Sequence, residues 1–182
     1  MWMADRAACP PIARWDVHLV TDMDSLFLNS DFNDDIGDWN TGNVRTMAYM
    51  FHGAIAFNQP LRWDTQRVED MSSMFHRASA FHQPLEFTDT KNVTTMGCMF
   101  HHAIAFNQPL QFDTCNVRDM RWMFGGASAF NQPLRWDTQR VEDMTSMFLD
   151  AASFEQTVQF DTRNVRSSGC MFLRAGAGAR LV

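Results

Sequence analysis

A motif that returns every 24 or 25 residues constrains this chain more than any other feature. Copies begin at Phe32, Phe57, Phe81, Phe106, Phe130 and Phe154. No segment so short can bury its own apolar set, so successive copies must stack and share one core. The copy from Phe57 to Ala80 reads FNQPLRWDTQRVEDMSSMFHRASA. A large aromatic follows each start, as Trp39, Trp63, Phe87, Phe112, Trp136 and Phe160. A valine column comes next (Val44, Val68, Val93, Val117, Val141, Val165), then Met47, Met71, Met96, Met120 and Met144, with Ser168 breaking the set. Met50, Met74, Met99, Met123, Met147 and Met171 close the pattern, each followed by phenylalanine. Trp15, Val20, Met23, Leu26 and Phe27 fit the same template, so a partial copy precedes the first full one.

Two periodicities suggest the local structure of a copy. Val68, Met71, Met74, Phe75 and Ala78 fall on one stripe at 100° per residue, which predicts a short amphipathic helix. Asp64 and Thr65 would cap its start, with Glu69 and Asp70 in its first turns, where the helix dipole favours acidic groups. The other half, FNQPLRW, alternates, and because Pro60 cannot donate to a ladder the strand is placed at Leu61 to Trp63 only. Parallel stacking of these strands with the helix as crossover predicts an α/β solenoid. It would hold about six to seven repeats within residues 14–175, between an N-terminal extension (1–13) and a flexible tail (176–182) that carries no column residue.

The pattern FNQPLRWDTQRVEDMSSMF resembles the short repeats, roughly FNxxLxxWDTSxVTDMSxMFxxAxx, of the Mycoplasma-type domain of unknown function, grouped with BspA-like leucine-rich-repeat surface proteins. The resemblance covers Trp15 to Ala175. It implies a leucine-rich-repeat-like solenoid, often displayed at a cell surface and binding host or matrix partners, and it brings no catalytic residues.

Charge and cysteine usage narrow the function classes. A net charge of −6 argues against a nucleic-acid surface, which needs clustered positive charge. No run approaches the ~18 apolar residues of a membrane span, and the charged N-terminus does not read as a signal peptide, so localisation stays open. Cys98 and Cys170 share a column three copies apart, at least ~14 Å at the spacing of stacked strands, beyond disulfide reach. With Cys115 in a turn and Cys9 outside the repeats, free thiols are expected.

Repeated polar residues invite functional readings and weaken them at once. Asp64, Asp113, Asp137 and Asp161 recur once per copy, as do Asn58, Asn107 and Asn131, so caps and an asparagine ladder are simpler than acid–base chemistry or calcium. Enzymes converge different groups on one point, and a ladder of identical groups does the opposite. His52, His76, His101 and His102 should align on one outer edge, where helices packed ~8–10 Å apart would make convergence on a metal poor, so exposed polar residues are the simpler expectation. Neither a cofactor nor a metal is expected. Tyr49 and Trp122 break the outer polar pattern and are candidate contact residues. The strand face carries Arg62, Glu86, Gln111, Arg135 and Gln159, a second candidate surface. The expected function is a non-enzymatic scaffold for a protein partner, adhesion included, with a metal- or carbohydrate-binding surface as the alternative.

Overall fold

The computed structural model describes residues 10–182. Regular secondary structure within it is confined to a 3-10 turn, Ile12–Arg14, and two short strands, β1 (Thr157–Val158) and β2 (Arg180–Leu181), paired in parallel. Single-residue parallel bridges join successive copies in one line: Asp22 to Thr46, Asp70, Thr95, Asp119, Asp143 and Ser167.

The expected helices are absent from the repeats, and the backbone hydrogen bonds show what replaces them. In the copy from Met47 to Ala54, Met50 N–H bonds to Met47 C=O and Ala54 N–H to Phe51 C=O, closing two consecutive four-residue turns. The third residue of each turn, Tyr49 or Gly53, has the positive φ that a type II turn requires, 56° and 67°. His52 N–H stays within the copy, on Tyr49 C=O, while every second donor leaves it. Met47, Tyr49, Phe51 and Gly53 N–H bond to Asp70, Ser72, Met74 and His76 C=O of the next copy at 2.7–3.0 Å. The same four-bond boundary recurs from the partial copy at Met23 to the last one at Ser167. An α-helix would have spent these donors on carbonyls four residues back within one copy. Here alternate donors bind copy to copy instead.

In the five internal pairs of turns, from 47–54 to 144–151, each turn buries its first and fourth residues. Met71, Met74, Phe75 and Ala78 are fully buried, as are Met96, Met99, Phe100 and Ala103. Their phenylalanines stack in two columns. Phe51, Phe75, Phe100, Phe124 and Phe148 lie 5.5–5.6 Å apart in sequence order, and each packs at 3.9–4.2 Å on the phenylalanine that starts the next copy. Burying such large rings supplies most of the driving force.

On the opposite side Leu61 bridges Leu85, with Glu86 N–H on Leu61 C=O and Thr88 N–H on Trp63 C=O. Beyond that pair and β1/β2, no such bridge forms on this side among the described residues, so the strand expected in every copy is mostly extended chain. Pro60, Pro84, Pro109 and Pro133, each just before a column leucine, remove one donor in four of the six copies. Two boundaries also move. Ile12 is buried and accepts a hydrogen bond from Trp39 Nε1, as Ile36 does from Trp63 Nε1, so the stack starts before residue 14; residues 1–9 of the expected extension lie outside the described residues, Cys9 among them. Where a flexible tail is expected, Arg180–Leu181 pair with Thr157–Val158, and Ala175 continues the alanine column of Ala103, Ala127 and Ala151.

Candidate interaction surfaces

Most repeated polar side chains are spent on holding copies together. Asn58 N–H bonds to Asn33 Oδ1, His82 N–H to Asn58 Oδ1, Asn131 N–H to Asn107 Oδ1 and Glu155 N–H to Asn131 Oδ1, at 2.8–3.0 Å, which is the expected asparagine ladder. Gln59, Gln132 and Gln156 donate to the same asparagines. The repeated aspartates cap turns, not helices: Asp64, Asp113, Asp137 and Asp161 each accept the N–H two residues on. A second ladder escaped the sequence reading. Thr41, Thr65, Thr90, Thr114 and Thr138 are buried, and each hydroxyl donates to the C=O of the aspartate or its equivalent in the next copy, at 2.5–3.1 Å. Its signal in the sequence is a threonine after an aspartate in five copies and after Asn40 in the first, a pair that also suits a helix cap.

Arg62, Glu86, Gln111, Arg135 and Gln159 are all exposed, each one residue after a leucine column position or its equivalent. Tyr49 and Trp122 lie elsewhere, in one column on the turn side, with Ser73 and Cys98 between them. Tyr49 is 42% exposed, whereas Trp122 is half-buried with its ring 5.0 Å from that of His101. The two candidates thus form no single patch with each other or with the strand-face row. Cys98, Cys115 and Cys170 are free.

The histidines are much closer than packed helices would allow. Because copies are joined backbone to backbone, the rings of His52 and His76 lie 4.3 Å apart and those of His76 and His101 4.5 Å apart, with His102 4.3 Å from His101. His52 Nδ1, His76 Nε2 and His101 Nδ1 are buried without a hydrogen-bond partner. Burial, then the neighbouring imidazoles and Arg77, holds His76 down at about 3. His101 is held at about 4 by burial and then by His102, Arg77 and His52, and His52 is lowered by burial and Arg77. Among the described residues no group of three or more His, Cys, Asp or Glu side chains is placed to hold a metal ion. No helix there is long and apolar enough to cross a membrane.

No curated protein and no solved structure matches the chain. A family model described as a Mycoplasma protein of unknown function, DUF285, matches it twice, over residues 2–111 and 84–180. Its two matches overlap inside the stack and together span nearly every copy, in keeping with the repeating columns that carry the fold. The chain therefore belongs to this Mycoplasma family of unknown function, DUF285.

Proposed function

We propose that the chain is a non-enzymatic repeat scaffold, a leucine-rich-repeat-like solenoid of the BspA-like surface type, that offers its side to a protein partner, with cell-surface adhesion as its use. The observation that carries this reading is the division of labour among polar side chains. The asparagine, threonine and aspartate columns are consumed by bonds between copies or within turns, while the row Arg62, Glu86, Gln111, Arg135 and Gln159 stays exposed and varies in charge from copy to copy. A row of unlike side chains at regular spacing on a rigid stack suits an extended protein epitope.

Binding of the labelled chain to a panel of immobilised matrix and host-cell surface proteins tests this. A variant carrying Arg62→Glu, Gln111→Glu and Arg135→Glu should lose at least about tenfold in affinity for any protein the parent binds. Equal binding by both to every member of the panel would move the contact off the strand face. The metal reading draws on the three unpartnered imidazole nitrogens, but among the described residues no three such side chains are placed to hold one ion. The carbohydrate reading draws on no observation of its own.

A further inference from the structure

Among the described residues the two ends of the stack carry complementary backbone groups that find no partner. At the last internal boundary Met144, Ser146, Phe148 and Asp150 N–H bond to Ser167, Gly169, Met171 and Leu173 C=O. The next donors in that series, Ser168, Cys170, Phe172 and Arg174 N–H, have no acceptor among the described residues. At the other end Asp22, Asp24, Leu26 and Leu28 C=O, the equivalents of the acceptors in every later copy, receive no backbone donor from the described residues. Four donors on alternate residues at one end thus match four acceptors on alternate residues at the other, in the register already used at each internal boundary.

We infer that the C-terminal end of the stack docks the N-terminal end of a second copy of this chain, so that molecules add head to tail as the repeats add within one molecule. Side chains agree with the backbone. Leu26 and Leu28 are 40% and 43% exposed and belong to the columns of Met171 and Leu173, the latter 51% exposed, so docking covers all three leucines. Such a contact is heterologous and does not close, and an unpaired backbone edge is a ready template for it. Among the described residues one element competes: Leu181 of β2 lies beyond Val158 where Ile12 of the incoming molecule would sit, held there by the parallel pairing with β1 and by Arg180 N–H on Gln156 C=O and Val182 N–H on Val158 C=O. Docking displaces it.

Sedimentation velocity of the full chain over a concentration series reads this directly. Species larger than dimers should grow with concentration, and Leu181→Asp, which loosens β2, should shift the distribution to larger species. Leu28→Glu and Leu173→Glu each spoil one end at an exposed position and should leave monomers with the parent's circular dichroism. Mixed in equal amounts, the two variants retain one intact pair of ends and should stop at a dimer. A parent and a Leu181→Asp variant that both stay monomeric would overturn the inference. So would a parent that stops at a dimer, or oligomers unaffected by either glutamate. Failure here leaves the strand-face reading untouched, because that row lies on the side of the stack.

Discussion

The imidazoles of His76 and His101, one copy apart, lie 4.5 Å from each other with a buried, unpartnered nitrogen on each ring. Protonating either brings a charge into an apolar layer beside Arg77, with His102 near and the rings of Tyr49 and Trp122 flanking the column. The folded-state values, about 3 and about 4, lie below the ordinary ~6.5 of an unfolded histidine. Below that value the unfolded chain takes up protons that the folded one refuses, so stability is full above it and declines as pH falls towards 4. Melting followed by circular dichroism should be flat above about pH 6.5 and fall steadily below it. His76→Asn with His101→Asn should flatten most of that fall, and an unchanged profile would assign the acid sensitivity to other groups.

Two nearly identical copies offer an internal control for one hydrogen bond. Residues 57–75 and 130–148 differ only at Ser72 and Thr145. Yet Trp63 Nε1 donates to Ile36 C=O at 3.0 Å, while Trp136 Nε1 is buried without a partner. Trp63→Phe should therefore cost about 1 kcal/mol more than Trp136→Phe, the net worth of one hydrogen bond plus the acceptor left unpaired. Urea denaturation of the two variants checks it, and equal losses would refute the difference in bonding.

Thr65 tests the buried ladder. Its hydroxyl donates to Asp89 C=O at 2.5 Å across a copy boundary. Thr65→Val keeps the shape and removes the donor, so it should destabilise by about 1–3 kcal/mol through the unsatisfied carbonyl. Thr65→Ser, which keeps the hydroxyl, should recover part of that loss. If serine proves no better than valine in a denaturant titration, packing and not hydrogen bonding holds the column.

Removing one copy in phase probes the stack as a whole. Deleting residues 81–105 joins Ala80 to Phe106 and presents Asp119, Arg121, Met123 and Gly125 C=O to Met71, Ser73, Phe75 and Arg77 N–H, in place of Thr95, Gly97, Met99 and His101. The shortened protein should fold with the parent's circular dichroism per residue and lower stability by one boundary. It also places Gly125 beside His76, so its acid sensitivity should be smaller than the parent's. An unfolded product would mean that copies depend on more than their neighbours.

The sequence by itself determined the period, the columns and the core. Large residues at fixed spacing leave no other way to bury Met99, Phe100 and Phe106, and the asparagine ladder follows from placing identical groups above one another. It could not distinguish helix from turns. Two consecutive four-residue turns bury their first and fourth residues, which puts Met71, Met74, Phe75 and Ala78 at i, i+3, i+4 and i+7, the spacing of a helical face. What separates the two is where the backbone donors go, and side-chain spacing carries no record of that. Only the tertiary structure sent alternate N–H groups to the next copy, which drew the histidines within 4.5 Å, turned the repeated threonine into a buried rung and left matching rows of donors and acceptors at the two ends of the stack.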